Sequence, residues 1–460
     1  MPALLSFLRE AFNGEEKDFT TGSLRRAIAL LAAPMMLETA MESLFAIVDI
    51  FFVAQLGDDA VATVGLTESL LTFVFAIAMG LSFATTAYVA RRIGEKDPAA
   101  AAHGATHSLY IGIAASAVIG ITGLLFAPQL LALMGASPAM QANQGYTRVA
   151  LGGSASVMLL FLLNAIFRGA GDAVIAMKVL WFGNLINIVL NPCLIFGWGP
   201  FPELGVTGSA VGTVIGRSAA VAYQVWQLSA GSGRIRFTPE ALRFSRPLLA
   251  RLLRPASSGM FQIFVATASW TALIRIAATF GADVLAGYTI AIRIVIFSIL
   301  PSWGLANAAA TLVGQNLGAS QPLRAETSVW TAARYNCYFL GALSLVLLAA
   351  AEPLLALFTP QPAVIAVGSE CLRWVAAAYV CLAYGMTMEQ AFNGAGDTYT
   401  PTLLNLACYW LLQIPLAWAL AIGLGWGPRG IFSAITVAET ALGLAAVAAF
   451  RRGAWQRQRI

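Results

Sequence analysis

The sequence predicts an all-α integral membrane protein: twelve transmembrane helices in two pseudo-symmetric six-helix lobes, the lobes being parallel repeats. Three observations predict it. Of its 460 residues, 59% are hydrophobic and 11% charged, where soluble domains run at about 45–50% apolar and about 25% charged. Twelve apolar stretches are each long enough to cross about 30 Å of hydrocarbon, which takes roughly 20 helical residues. One half of the chain also echoes the other in a nearly fixed register.

The first stretch, 27–54, opens after Arg25 and Arg26 and carries three acids. The second, 61–90, follows the turn around LGDD, and the third, 104–127, begins beside His103 and His107. The fourth, 147–166, runs into FRGAGD, the fifth, 174–197, contains NLINIVLNP, and the sixth, 206–229, carries Arg217. The second half repeats the plan at 256–280, 284–313, 326–350, 371–392, 402–424 and 430–450. The polar breaks are short and leave no room for a soluble domain. The N-terminal MPALLSFLREAFNGEEKDF is too short in its apolar part and too acidic afterwards for a cleaved signal peptide. It reads as an amphipathic helix lying on the membrane surface.

The echo is specific. FRGAGD at Phe167–Asp172 returns as FNGAGD at Phe392–Asp397, 225 residues on. Gly80-Leu81 matches Gly304-Leu305 at an offset of 224, and the register continues through Gly94/Gly318 and Pro98/Pro322. Ser209-Ala210 matches Ser433-Ala434 at 224, and Pro192 matches Pro415 at 223. Six spans return each half to its starting side, so the halves are related by an axis along the membrane normal. The expected organisation is a first lobe over 1–230 (with 1–26 a cytoplasmic surface segment), a basic cytoplasmic linker over 231–255, and a second lobe with a cytoplasmic tail over 256–460. Between two such lobes lies a cleft near the bilayer midplane, where a transported molecule would sit.

Charge orients the chain. With a cytoplasmic N-terminus, alternation places 20 of the 27 Lys and Arg residues inside, and only Arg148, Arg373 and Arg429 outside. This positive-inside asymmetry puts both termini in the cytoplasm and removes the need for a polyanionic partner behind the net charge of +5. The five cysteines are odd in number, unclustered and without CxxC spacing, which implies neither a disulfide framework nor zinc. His103 and His107 lack HExxH and a third ligand, and no Gly-x-Ser-x-Gly, Walker A or dinucleotide fingerprint occurs, so catalytic residues and ATP are not expected.

Ionisable groups within a membrane are costly and mark function. Glu38, Glu42 and Asp49 fall on one stripe of the first span, within about 40° of each other at 100° per residue. Glu68 returns to a similar depth on the second span. Buried together, such acids become exchangeable proton holders. Arg217 is the natural structural partner of Glu42 or Glu38. Asn187 and Asn191, i,i+4 on the fifth span before the helix-loosening Pro192, and Thr213 on the sixth offer oxygens for Na⁺ or a proton-linked network. Interhelical hydrogen bonding is the alternative role for those amides. Asp172 and Asp397 are placed to N-cap the helices that follow their GAGD turns, or to gate the cytoplasmic side. The second lobe lacks the stripe: Asp49 is matched by Leu273, and Arg293, Glu370, Glu389 and Glu439 are scattered.

PMMLE…ESLFAIVDIFFVAQLG, FRGAGD…NLINIVLNPCLIFG, ELGVTGSAVGT, GQNLGA and EQAFNGAGDTYTPTLLN, in order from about residue 24 to 450, resemble a multidrug and toxic compound extrusion (MATE) transporter of the DNA-damage-inducible-protein-F-like branch. The resemblance implies a secondary active multidrug efflux antiporter in the bacterial inner membrane. It would export amphipathic, often cationic compounds in exchange for H⁺ or Na⁺ by alternating access, with Pro34 and Pro192 helping the first lobe rearrange. It places the family's ion-coupling aspartate on Asp49, its fifth-span polar pair on Asn187 and Asn191, and its threonine on Thr213. Relatives often carry Asp at the position of Asn191, so this chain has one carboxylate fewer. Gln262 stands near where another branch carries a seventh-span acid, and no second-lobe cation site of that type is expected. The expected partners are small amphipathic molecules and the bilayer, with no cofactor, no nucleic acid, no metal beyond a coupling Na⁺, and a monomeric chain. The rival readings are a flippase for a lipid-linked oligosaccharide or another solute carrier of the superfamily, which would call for a more cationic cavity, and an intramembrane enzyme, which would need a nucleophile or metal triad.

Overall fold

The computed structural model describes residues 18–230, 233–458 and 460. The surface helix expected before residue 18 lies outside them. Twelve spanning elements follow in order: α1 Leu24–Ala54, α2 Asp58–Gly94, α3 Pro98–Leu133, α4 Gln144–Ala170, α5 Ala173–Phe196, α6 Val206–Ala230, α7 Arg246–Ala278, α8 Ala282–Gly318, α9 Pro322–Ala356, α10 Pro362–Ala377 with Tyr379–Ala395, α11 Tyr399–Gly423 and α12 Pro428–Arg451. Among the described residues there is no strand. Nine of these helices are long and apolar enough to cross a membrane singly, and the two segments of α10, bent by 58°, make a tenth. The other two, α1 and α6, carry the first lobe's Glu38, Glu42, Asp49 and Arg217.

Helix starts follow local chemistry. The Asp97 side chain accepts the Ala100 amide at 2.9 Å, and Pro98, Pro322, Pro362 and Pro428 occupy first-turn positions where a missing N–H costs nothing. The repeat is written into the backbone as well as the letters. Gly171 and Gly396, the second glycines of the GAGD phrases, end α4 and α10 with φ of 90° and 86°, a conformation that glycine adopts without a Cβ penalty. Lys96 and Ser320, the only non-glycine residues with positive φ among those described, have φ of 60° and 58° and lie 224 residues apart.

Helix α7 begins earlier than hydropathy indicates. Residues 246–255, assigned from the sequence to the linker, are its first turns. The i,i+4 pair Leu248 and Leu252 packs with Tyr88 while Arg246, Arg251 and Arg254 remain at the polar end, so an amphipathic segment was hidden by its arginines. Pro255 then sits inside the helix. In α11, π-helical turns at Leu406–Gln413 and Ala419–Gly423 flank Ile414–Trp418, which contains Pro415, the counterpart of Pro192.

The lobes meet crosswise, α1 against α8 and α2 against α7 and α8. Contact is tightest at the face that carries both ends of the described chain. There a Cβ on Gly94 would overlap the carbonyl of Gln315, and a Cβ on Gly318 would overlap that of Arg91. Thr311 Oγ1 donates to the Arg168 carbonyl at 3.1 Å and Gln315 Nε2 to that of Gly169 at 3.0 Å. Arg91 and Arg92 reach the carbonyls of Gln458 and Ile460 at 2.6 and 2.7 Å, and Arg324 holds the carbonyls of Phe19, Thr21 and Gly22. This face is sealed by main chain on main chain at the two glycines and by side chains bonded to carbonyls around them.

Candidate functional site

Two neighbouring arrangements in the first lobe bring most of the sequence-nominated residues together. The first centres on Asp49. Its Oδ1 accepts hydrogen bonds from Asn191 Nδ2 on α5 and from Ser209 Oγ on α6, both at 2.7 Å. Asn187 Nδ2 donates to Thr213 Oγ1 at 2.9 Å and more weakly to Asn191 Oδ1 at 3.4 Å. The i,i+4 spacing of the asparagines sets both amides on one face of α5. Gly212 lets α6 approach, since a Cβ there would overlap Asn191 Oδ1. Asn187 Oδ1 is buried with no hydrogen-bond partner. A carboxylate, an unpartnered amide oxygen and a hydroxyl form a donor set for a hard monovalent cation or a proton. Among the described residues no cluster of three His, Cys, Asp or Glu side chains could hold a metal.

The second arrangement lines the cleft between the lobes, a cavity of about 490 Å³. Glu38 is 4% exposed; its Oε1 accepts from Asn164 Nδ2 at 3.0 Å and lies 3.6 Å from Arg168 Nη1. Gln224 Nε2 in turn donates to Asn164 Oδ1 at 2.6 Å. The partner that Glu38 finds is therefore Arg168, from the FRGAGD end of α4, and not Arg217. Arg217 lines the same cleft with its guanidinium 5.8 Å from the Phe45 ring, and Glu42 lines it from α1. Phe75 and Phe161 from the first lobe and Phe297 and Trp303 from the second supply apolar wall.

A helical membrane protein with a polar cleft and a hydrogen-bonded carboxylate further along one of the helices that line it could serve several families. The MatE family model matches it twice, over residues 34–193 and 260–419. The chain belongs to the MatE family. It is similar to the probable multidrug resistance protein NorM of Pseudomonas aeruginosa, 31% identical over 435 residues that cover 88% of this chain and 85% of that one. It is also similar to an FAD transporter of Shewanella oneidensis, 26% identical over 405 residues, 87% of this chain and 88% of that one. A crystal structure of MATE in complex with MaL6 superposes with a TM-score of 0.89 at 26% identity, covering 96% of this chain and 99% of that one. The two MatE segments fall one in each half, in keeping with the repeat read from the letters.

Within this MatE chain the remaining nominated residues are placed as follows. Glu68 stands exposed on α2, within electrostatic reach of Asp49 but outside its hydrogen bonds. Pro34 and Pro192 lie inside α1 and α5. Just beyond Pro34, Thr39 Oγ1 bonds back to the carbonyls of Met35 and Met36 at 3.2 and 3.0 Å, a combination that loosens a helix. Asp172 occupies the N-cap position of α5, and Asp397 accepts the Thr400 amide at 3.2 Å and its hydroxyl at 2.6 Å at the start of α11. His107 Nε2 accepts the Ser245 amide at 2.8 Å while Nδ1 faces the His103 carbonyl at 2.8 Å, so it ties α3 to the segment before α7. All five cysteines are free.

The second lobe differs from its sequence description in one respect. Leu273, the counterpart of Asp49, is buried in an apolar cluster. Glu389 and Glu439, 50 positions apart and scattered in the sequence, share one cavity of about 160 Å³ with Gln262, and the Tyr409 hydroxyl reaches the Glu439 carboxylate at 3.3 and 3.4 Å. At positions related by the repeat, acid and amide have exchanged helices: Glu38 and Asn164 in the first lobe face Gln262 and Glu389 in the second. Glu370 belongs elsewhere, 2.6 Å from Arg429. Sequence reasoning missed Ser209, Asn164 and Arg168 as site residues. The only signals were that Ser209 recurs as Ser433 and that Arg168 is the variable letter in an otherwise repeated phrase.

Proposed function

We propose that the chain is a secondary active multidrug exporter that exchanges small amphipathic compounds for H⁺ or Na⁺ by alternating access. It is a transporter and not an enzyme, working as a monomer without a cofactor or nucleic acid. It sits in a bacterial inner membrane with both termini cytoplasmic, its lobes over 1–230 and 256–460 joined by a basic cytoplasmic segment over 231–255 whose last residues, from Arg246, are the first turns of α7. With that orientation the sealed face is the cytoplasmic one, and the described form faces outward.

The observation that carries the reading is the pair of bonds from Asn191 and Ser209 to Asp49, on the same helix whose Glu38 and Glu42 line the cleft. An ion taken up at Asp49, with Asn187 and Thr213 as further donors, competes with those two hydrogen bonds. Losing them loosens α1 from α5 and α6 at this level, leaving the bond from Trp181 Nε1 to the Leu37 carbonyl as a pivot. Pro34 and Pro192 give both helices the slack to move, and the acidic face of α1 shifts relative to the cargo. Ion occupancy is thereby exchanged for cargo affinity, which is the differential interaction that a two-state transporter needs. Names among the relatives support a small-molecule cargo, and both a multidrug resistance protein and an FAD transporter occur among them.

The test is dye efflux from vesicles under separately imposed pH and sodium gradients. One gradient should drive export in the wild type and fail to do so in Asp49→Asn. Full gradient-driven export by correctly inserted Asp49→Asn would remove the coupling site.

A further inference from the structure

The segment that joins α6 to α7 dips beside α3. Tyr110 Oη donates to the Leu242 carbonyl at 2.9 Å, and His107 Nε2 accepts the Ser245 amide at 2.8 Å. Both anchors belong to the apolar stretch 104–127, and Tyr110 lies about 18 Å along α3 from Pro98 at about 1.5 Å per residue. The Phe244 ring stacks on His107 with centroids 5.9 Å apart. Residues 242–245 are thus fastened where α3 has already turned hydrophobic, yet Leu242 and Phe244 are 51% and 61% exposed. The first turns of α7 continue the pattern. Leu248 and Leu252 pack inward against Tyr88, while Arg246, Leu253 and Arg254 fall within about 100° of one another on the far side. Arg243, Arg246 and Arg254 are exposed, and among the described residues none has a carboxylate within 4.0 Å. From 231 to 255 the sequence has six arginines and one acid, Glu240.

We propose that this surface binds an anionic phospholipid of the leaflet on the side of the chain termini. Leu242, Phe244 and Leu253 enter the acyl boundary, and Arg243, Arg246 and Arg254 meet the headgroup phosphate. Fixed at that depth, the three apolar side chains face hydrocarbon and not water, which is how an amphipathic segment sits in a bilayer interface. Arginine stems cover apolar surface while the guanidinium stays among the headgroups, where its planar fork bonds a phosphate through two N–H groups. A cluster of basic residues immediately outside a span draws negatively charged lipid. A soluble anion would satisfy the arginines and leave Leu242 and Phe244 in water. A lipid of zero net charge would cover the apolar side chains and leave the cluster without counter-charge. A lipid with a net negative headgroup answers both. The site needs neither cargo nor an ion gradient, so it stands apart from the export reading.

Dansyl-labelled phosphatidylglycerol and dansyl-labelled phosphatidylcholine, added to the detergent-purified full chain, report binding by energy transfer from tryptophan. Phosphatidylglycerol should bind at least tenfold tighter. Arg243→Gln combined with Arg246→Gln should cut that preference at least fivefold. Arg452→Gln, at the same face but just past the end of α12, should leave it unchanged. Leu242→Ser combined with Phe244→Ser should weaken both lipids at least threefold and keep their ratio. Equal affinity of the wild type for the two lipids would overturn the proposal, and so would an equal loss of preference in Arg452→Gln. Full binding of both lipids by the double serine variant would remove the apolar half of the site. Displacement of the labelled lipid by millimolar inorganic phosphate as readily as by unlabelled phosphatidylglycerol would replace the lipid site with one for a soluble anion. Should a variant fail to fold, the wild-type ranking and the phosphate competition decide.

Discussion

Gly94 backs onto the main chain of Gln315, and its repeat partner Gly318 backs onto Arg91, so each glycine meets the residue 224 positions from the one met by the other. This reciprocal contact is the point where α2 and α8 touch without side chains between them. Gly94→Ala or Gly318→Ala should wedge the helices apart at the sealed face. Initial export rates are expected to fall at least tenfold in either variant, with normal insertion. Cysteine labelling of the cleft from the side of the chain termini should rise, and unchanged labelling would show that the seal lies elsewhere.

At Asp49 the Ser209 hydroxyl stabilises the carboxylate while no ion is bound. Removing a hydrogen bond to a charged group costs about 1.5–3 kcal/mol. Ser209→Ala should therefore lower the half-saturating concentration of the coupling ion by about tenfold, measured as export rate against ion concentration. Asn191→Leu should do the same and also disturb packing against Gly212. A higher half-saturating concentration in Ser209→Ala would contradict the competition between hydrogen bond and ion.

Arg168 neutralises a carboxylate that is otherwise buried. Removing one partner of a buried pair costs about 3–5 kcal/mol, because the remaining charge stays desolvated. Arg168→Met is expected to lower the thermal midpoint in detergent sharply, and Glu38→Gln in the same background should recover much of the loss. Equal stability of the single and double variants would mean that the pair is not coupled.

The segment before α1 offers a pH prediction outside the membrane. The Thr20 hydroxyl, at 2.5 Å, holds the Asp18 carboxyl below its ordinary range; burial opposes it, and the Thr20 amide at 2.9 Å adds a lesser lowering effect. A carboxyl held low contributes order above its unfolded value and loses it as pH falls through the held value. Protease cleavage near residues 18–22 should accelerate as pH drops through the acidic carboxylate range, and Asp18→Ala should cleave fast at every pH. A flat wild-type profile would mean that the Arg324 contacts and the buried Phe19, and not this carboxyl, fasten the segment.

Much of this architecture was legible because its causes are local. Hydropathy marks a span wherever about 20 apolar residues run together, and the twelve stretches fall on the twelve helices, with ends close to the observed ones except at the starts of α7 and α10. The exceptions are physical: α7 was shortened by arginines that coat an amphipathic turn, and the 58° bend of α10 at Ala378 carries no proline to announce it. Of the residues nominated around Asp49, Asn191 bonds to it directly, while Asn187 reaches Thr213. Glu68 makes no hydrogen bond to them, though Asp49 acts on it through space, and Arg217 forms an ion pair within 4.0 Å with neither Glu38 nor Glu42.

By itself the sequence determined that the chain is membrane-embedded, helical and duplicated, since composition, span length and register are properties of neighbours along the chain. Only the tertiary structure decided which side chains meet: Arg168 with Glu38, Ser209 with Asp49, Glu389 beside Glu439. Those meetings join residues tens to more than a hundred positions apart, and they depend on how each helix is rotated against the next. That rotation is fixed by small residues and packing across helix pairs, which no periodicity along a single strand of letters encodes.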